Sequence, residues 1–115
     1  MTVKRIQAGP RMSQAVVHGN TVYLAGVVSD DLAPSVTAQT KNILAKIDKL
    51  PAEAGTDKSK LLSANIWLTD IGTWAEMNTV WDAWVSPGNT PARATVEAKL
   101  ANPKLVVEIM VVAAK

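Results

Sequence analysis

The sequence contains no cysteine and a single histidine among its 115 residues. The absence of cysteine excludes disulfides, thiolate nucleophiles and thiolate metal ligands. His18 with scattered carboxylates gives no metal-binding cluster, and Ser13 has no evident histidine and aspartate partners for a catalytic triad. Neither common type of glycine-rich phosphate-binding loop is present. The sequence therefore indicates no metal and no cofactor.

Long apolar segments and runs of like charge are also missing. The longest uninterrupted apolar stretch, residues 109–114, is far shorter than the roughly 20 residues that span a bilayer. The N-terminal residues lack the apolar segment of a signal peptide. The 12 basic and 10 acidic residues are scattered and give a net charge of +2, so nucleic-acid binding is not indicated. We expect one cytoplasmic domain over residues 1–115, with no membrane contact.

The hydrophobic pattern predicts an α+β domain with one mixed β-sheet and two helices on one of its faces. Strands are predicted at residues 3–6, 15–17, 21–28, 62–68, 94–100 and 105–113. Gly19 and Asn20 are a turn signal, so the second and third segments should form a hairpin. One mainly apolar face is predicted for the fourth segment, formed by Leu62, Ala64, Ile66 and Leu68.

Two helices are predicted between these strands. Ser35 can cap the first helix, and Pro51 should kink or end it near Leu50 because proline lacks a backbone donor. Thr73 and Glu76 have the spacing of a capping box at the start of the second helix. The apolar stripe of that helix is predicted to consist of Trp74, Met77, Trp81, Trp84 and Val85.

The last predicted strand is apolar on both faces apart from one carboxylate. One row consists of Leu105, Val107, Ile109 and Val111. The other row consists of Val106, Glu108, Met110 and Val112. Strands that are apolar on both faces are usually buried on both, yet the two helices can cover only one. We therefore expect a second subunit to cover the other face.

Glu108 and Arg93 are the main candidates for chemistry. A carboxylate within a Val/Ile-rich strand is costly unless it is paired or hydrated. Arg93 lies at the entrance of the preceding strand, where a guanidinium can clamp a small carboxylate with two hydrogen bonds. Each residue also has a structural interpretation: Glu108 can be bonded to backbone or arginine, and Arg93 can form a salt bridge with Glu97. The residues alone leave both interpretations open.

Asn78 and Thr95 are weaker candidates. Asn78 lies beside the apolar stripe of the second helix, where it can line a pocket or satisfy a loop backbone. Thr95 shares a strand face with Arg93, although threonine is also a common strand residue.

Segments in the same order along nearly the whole chain are characteristic of one known family. They consist of Gly9, Pro10, Ser13, Gln14, Ala15, Val16 and Val17, then Val22, Tyr23, Leu24, Ala25 and Gly26, then Asn89, Thr90, Pro91, Ala92, Arg93, Ala94, Thr95 and Val96, and finally Val107, Glu108 and Ile109. With these residues the chain resembles the RidA/YjgF family of enamine/imine deaminases. Three further segments are most similar to its YoaB-like branch, at residues 11–13, 77–84 and 102–104.

The resemblance implies a chorismate-mutase-like fold and a homotrimer with clefts between subunits. It also implies hydrolysis of 2-imino acids, such as 2-iminopropanoate and 2-iminobutanoate, to 2-keto acids and ammonia, without a cofactor. Arg93 matches the family's carboxylate-binding arginine, and Glu108 matches the glutamate that positions or activates water. Asn78, Thr95 and Gly26 match further pocket positions. A protonated imine is already electrophilic, so one clamp and one carboxylate can suffice.

Two pocket positions depart from the better-known members. Met12 stands where they carry tyrosine, and Ala25, Gly26 and Val27 stand where many have Ser-Gly-Gln. Met12, Ala25 and Gly26 remain predicted substrate-binding positions, but two polar groups are replaced by apolar ones. The alternative prediction is therefore a non-catalytic trimer that binds a small keto or amino acid.

Overall fold

A computed structural model describes residues 2–115 as one sheet with two α-helices. The strands are β1 Val3–Ala8, β2 Ser13–His18, β3 Thr21–Leu24, β4 Val27–Val28, β5 Leu61–Leu68, β6 Ala92–Glu97 and β7 Val107–Ala114. The helices are α1 Val36–Glu53 and α2 Trp74–Trp84, with 3₁₀ turns at Lys58–Lys60 and Ile71–Thr73. Neither helix of residues 2–115 combines the length and the apolar composition that crossing a membrane requires.

The sheet is mixed, as predicted. Its strand order is β1-β2-β3-β7-β5-β6, and β4 pairs with β7 beyond the end of β3. β5 and β6 are parallel to each other, while the other pairings are antiparallel. Parallel neighbours need a crossover connection, and here α2 provides it.

Both helices cover one face of this sheet, which confirms the predicted α+β architecture. The covering side chains of α1 and α2 that are buried in the core include Ile43, Leu44, Ile47, Met77 and Trp81. From β7 the core receives Val107, Ile109, Val111 and Ala113. The alternate residues of β7 are only partly buried, namely Glu108, Met110, Val112 and Ala114. We call the face that carries these four residues the open face.

Helix α1 begins as predicted but ends later. The Ser35 hydroxyl accepts a hydrogen bond from the Ala38 N–H at 3.1 Å. Of the two expectations at Pro51, a kink or an end of the helix near Leu50, the end is wrong, since the helix continues to Glu53. Pro51 is itself buried against the core, and the Ala54 N–H still reaches the Leu50 carbonyl at 3.2 Å. Packing and this closing bond therefore offset the single donor that proline removes.

The predicted capping box at the start of α2 is not formed. Thr73 is the last residue of a 3₁₀ turn and has a ψ of 6°, so its backbone is not extended and its side chain does not cap α2. Glu76 instead accepts hydrogen bonds from the Thr37 N–H at 3.0 Å and the Thr37 hydroxyl at 3.1 Å. It therefore supplies α1 with a second cap beside Ser35. Trp74, predicted in the buried stripe, is 49% exposed.

Replacing Glu76 by alanine should destabilise the protein by about 1 kcal/mol, the usual loss for a helix cap. The reason is that the Thr37 N–H at the start of α1 loses its acceptor. Urea denaturation measures the change in the free energy of unfolding. Asp82→Ala, at an exposed carboxylate on the same helix, is the matched control and should change it by less than half as much. Equal losses in the two variants would contradict the capping role.

Strand β5 differs from the predicted alternation at its first residues. The register with β7 shifts between Leu61 and Ser63. As a result Leu61 is buried while Leu62, expected on the apolar face, is 50% exposed. From Ala64 onwards the prediction is confirmed, with alternate residues in the core. An irregularity of this kind reverses the faces of the residues on one side of it.

Candidate functional site

Arg93 and Glu108 lie on opposite faces of the sheet. Arg93 pairs with Ala64, which is 1% exposed beneath the helices. Glu108 pairs with Trp67, on the open face. Because paired residues in a sheet share a face and successive residues alternate, the arginine points to the helix side and the glutamate away from it. Within one chain the two candidate residues therefore do not meet.

The Arg93 guanidinium is held by an aromatic ring and not by an acid. Its central carbon lies over Trp81 of α2, 5.4 Å from the ring centroid. Among residues 2–115 the only ion pair joins Lys46 to Asp30. The proposed salt bridge with Glu97 is wrong, since that carboxylate accepts from the Ile71 N–H at 3.1 Å. Arg93 thus keeps a half-buried positive charge without a carboxylate in its own chain.

Three buried side-chain polar atoms of residues 2–115 lack hydrogen-bond partners, and two of them belong to the elements that carry Trp81 and Arg93. These two are Oδ1 of Asn78 and Oγ1 of Thr95, while the third is Oγ1 of Thr40 in α1. Thr95 is two residues beyond Arg93 on one strand face, and Asn78 is one helical turn before Trp81. The alternative in which the Asn78 carbonyl oxygen satisfies a loop backbone is therefore not realised. Buried polar atoms without partners call for a ligand, a water molecule or another chain. Asn78, Trp81, Arg93 and Thr95 are called the arginine group below.

Glu108 is placed against a glycine at an irregularity in the sheet. The five residues 23–27 lie opposite only four, 109–112, so one extra residue is accommodated between β3 and β4. Gly26 occupies this irregularity, and a Cβ on it would lie 2.2 Å from Oε2 of Glu108. The carboxylate therefore fills the place of the missing side chain. In residues 2–115 no hydrogen bond or ion pair engages this carboxylate, which leaves it able to act on a bound molecule.

The remaining predicted positions lie in the turn before β2, beside the irregularity at Gly26, or in the core. The Ala25 N–H donates to the Gln14 carbonyl at 2.9 Å, which brings the turn before β2 to the end of the sheet where Gly26 lies. Met12, in this turn, is 48% exposed. Val27 is buried in the core and does not share the face of Glu108. Met12, Ala25, Gly26 and Glu108 are called the glutamate group.

Two surface pockets contain no member of either group. One, of about 250 Å³, is lined by Thr69, Lys99, Leu100, Asn102, Pro103 and Leu105. The other, of about 340 Å³, is lined by Gln7, Gln14, Lys46, Lys49 and Leu50. Neither contains Arg93 or Glu108, so neither joins the arginine group to the glutamate group.

The contact between Trp81 and Arg93 was not anticipated from the sequence, in which the tryptophan was assigned to the apolar stripe of α2. That assignment holds, since Trp81 is 4% exposed and belongs to the core. A helix that connects two parallel strands packs against both of them. This packing is the signal that could have placed an inward-facing residue of α2 over the first residues of β6.

Comparison with known proteins gives a consistent result along the chain. A family model described as Endoribonuclease L-PSP matches residues 2–115. The RutC family protein YoaB of Escherichia coli is 47% identical over 114 residues, covering 99% of each chain. A RutC family protein of Haemophilus influenzae is 44% identical, covering 98% of each. The crystal structure of NMB1025 of Neisseria meningitidis, a member of the YjgF protein family, is 46% identical, with a TM-score of 0.97 over 100% of this chain and 96% of that one.

Proposed function

Since this chain belongs to the YjgF/RidA family, we propose that it hydrolyses reactive 2-imino acids and their enamines to 2-keto acids and ammonia. The observation that supports this proposal most is the state of its two charged candidates. Among residues 2–115 Arg93 has no carboxylate partner, and Glu108 has neither a hydrogen-bond donor nor an ion-pair partner. A 2-imino acid would supply a carboxylate to Arg93, and the water that attacks it would supply a donor to Glu108.

Arg93 binds the carboxylate of the imino acid in this proposal. A guanidinium can donate two parallel hydrogen bonds to a carboxylate, which fixes the orientation of the ligand as well as its position. The unpartnered oxygens of Asn78 and Thr95 are available to donors on the ligand or on bound water. Orientation of this kind lowers the barrier because it removes freedom that the reactants otherwise lose at the transition state.

Glu108 positions and deprotonates the attacking water. The water oxygen forms a bond to C2 of the protonated imine while the carboxylate takes a proton from that water. The proton then passes to the nitrogen of the resulting carbinolamine. The C–N bond breaks, ammonia leaves, and loss of the hydroxyl proton gives the keto acid. No redox step or additional reactant is required.

We further propose a homotrimer in which Arg93 of one subunit faces Glu108 of the next. Opposite faces of one sheet cannot form a common site within the same chain, so the two groups need two copies to meet. The open face also carries large apolar side chains: Tyr23 is 49% exposed, and Met110 and Val112 are only partly buried. A second copy on this face would remove these side chains from water.

The alternative is a non-catalytic trimer that binds a small keto or amino acid. The observation in its favour is the apolar character of the glutamate group, in which the two variable side chains are those of Met12 and Ala25. Such a protein would use the Arg93 clamp but turn over no imine.

The test generates 2-iminobutanoate from threonine with an excess of dehydratase, so that imine hydrolysis limits the release of 2-oxobutanoate. We expect the protein to accelerate this release and to sediment as a trimer. Binding of 2-oxobutanoate is measured in parallel by calorimetry. Binding without acceleration would support the non-catalytic alternative, while absence of both would reject the two functions together.

A further inference from the structure

We propose that Trp81 is a positioning residue, which holds the Arg93 guanidinium in the orientation that binds a carboxylate. The inference rests on the proposed function for the class of ligand, a small 2-keto or 2-imino acid. It does not depend on turnover, because it concerns how the clamp is held.

Trp81 is well fixed beneath the guanidinium. It is 4% exposed, and its ring lies 5.3 Å from that of Trp84 at an interplanar angle of 53°. Trp84 is itself tied down, since its indole N–H donates to Asp48 of α1 at 3.0 Å. Lys58 lies over the other tryptophan ring and donates to its backbone carbonyl at 2.6 Å. The indole under Arg93 is thus part of a packed cluster that joins both helices.

The contact suits a clamp better than a salt bridge would. A cation over an indole face is attracted by the negative face of the ring, but the ring accepts no conventional hydrogen bond from it. The N–H groups of Arg93 therefore remain available to a ligand, whereas a carboxylate partner would occupy them. A long arginine side chain that is already held also loses less rotational freedom when the ligand binds.

The geometry of the chain explains why this tryptophan, and no other in α2, takes the role. Trp74 lies two turns earlier in the helix and is 49% exposed. Trp84 contacts Lys58. Of the three tryptophans of α2, Trp81 alone is both buried and placed over the start of β6.

The test compares Trp81→Leu and Trp81→Phe with Trp74→Leu as the matched control on the same helix. Binding of 2-oxobutanoate is measured by calorimetry, and thermal melting confirms that each variant is folded. Trp81→Leu should raise the Kd roughly tenfold because the cation–π contact is lost. Trp81→Phe, which restores an aromatic face, should recover most of the affinity, and Trp74→Leu should bind like wild type. If turnover is observed, KM should rise while kcat changes less than about twofold, since Trp81 does not touch the reacting atoms.

A spectroscopic arm separates positioning from a purely structural role. Binding of 2-oxobutanoate at Arg93 should change the tryptophan fluorescence of wild type and of Trp74→Phe. The change should be smaller in Trp81→Phe, in which Trp67, paired with Glu108, and Trp84 still contribute. Equal affinities of folded Trp81→Leu and Trp74→Leu would overturn the inference while leaving the hydrolase proposal intact. Absence of any 2-oxobutanoate binding by wild type would overturn the clamp and the positioning role together. Binding without turnover would reject hydrolysis alone.

Discussion

Trimers that mix Arg93→Ala with Glu108→Gln subunits should recover imine hydrolysis that neither variant shows alone. The two side chains lie on opposite faces of one sheet, so in the proposed trimer a complete site takes the arginine of one copy and the glutamate of another. In a mixed trimer some clefts receive the intact arginine from a Glu108→Gln subunit and the intact glutamate from an Arg93→Ala subunit. Those clefts contain both Arg93 and Glu108.

Each variant by itself should lose most of the activity for a different reason. In the proposed mechanism Glu108→Gln removes the group that takes a proton from water, and general-base catalysis contributes roughly 10²–10⁴-fold. It should therefore lower kcat while 2-oxobutanoate still binds. Arg93→Ala removes the charge proposed to hold the carboxylate, so it should abolish detectable binding of 2-oxobutanoate. The two variants are therefore distinguishable before they are mixed.

The fraction of wild-type activity that the mixture recovers follows from random assembly of the subunits. Equal amounts of the two variants, unfolded and refolded together, should regain about a quarter of wild-type activity, because random assembly completes that share of clefts between neighbouring subunits. The matched control refolds wild type with the double variant Arg93→Ala/Glu108→Gln. It too should give about a quarter, again because each cleft needs contributions from two chains.

The opposite outcome is equally definite. If one chain supplied both residues to a site, the mixture of single variants would stay inactive. The wild-type and double-variant mixture would then retain about half of the activity. That pair of results, obtained with protein shown to be trimeric by sedimentation, would contradict the two-subunit site.

The architecture could be predicted from the sequence to a considerable extent. The two-residue period of β7 correctly separated the core row from the row that carries Glu108, because alternation follows from strand geometry alone. The Ser35 cap was also predictable, since it depends on residues three apart in the chain. Features that arise within one element were therefore largely accessible.

The relation between Arg93 and Glu108 was not accessible in this way. Alternation tells which residues of a strand share a face, but it does not tell how that strand aligns with its neighbours. Here Trp67 of β5 pairs with Glu108 on one side and with Val96 on the other. This register puts Arg93, three residues before Val96, on the helix side. The face that Arg93 occupies therefore follows only once the parallel pairing of β5 with β6 is known.

The capping box is not formed because both of its residues are used otherwise. The pattern of Thr73 and Glu76 is a valid sequence signal, but the 3₁₀ turn that includes Thr73 gives it the wrong backbone conformation for a cap. Glu76 was then free to accept from Thr37, 39 residues earlier in the chain. Local propensities are overridden where a partner from another element satisfies the same group.

Gly26→Ala should remove most of the hydrolytic activity while leaving the fold and the binding of 2-oxobutanoate largely intact. The added Cβ would lie 2.2 Å from Oε2 of Glu108, so the carboxylate must move. It is the far end of a flexible side chain, and we expect the free energy of unfolding to change by about 1 kcal/mol or less. A displacement of about 1 Å at a catalytic group can cost on the order of 10²-fold in rate.

Gly72→Ala provides the matched control. A Cβ on Gly72 would also meet a carboxylate, with Oδ1 of Asp70 at 3.0 Å, but this pair lies outside both the arginine and the glutamate groups. Its activity should equal that of wild type. Comparison of kcat and of urea denaturation for the two variants separates the effect on Glu108 from the general effect of placing a methyl group beside an acid.

The decisive measurement combines Gly26→Ala with Glu108→Ala. The three atoms nearest to the added methyl group all belong to the Glu108 side chain, so Glu108→Ala removes them. If the glycine acts only by making room for that carboxylate, the double variant should have the same residual rate as Glu108→Ala, a strongly non-additive result. A further loss in the double variant would show that Gly26 serves the reaction through its own backbone or through the path of the chain between β3 and β4. Unchanged activity in Gly26→Ala itself would instead show that the position of the Glu108 carboxylate does not limit the reaction.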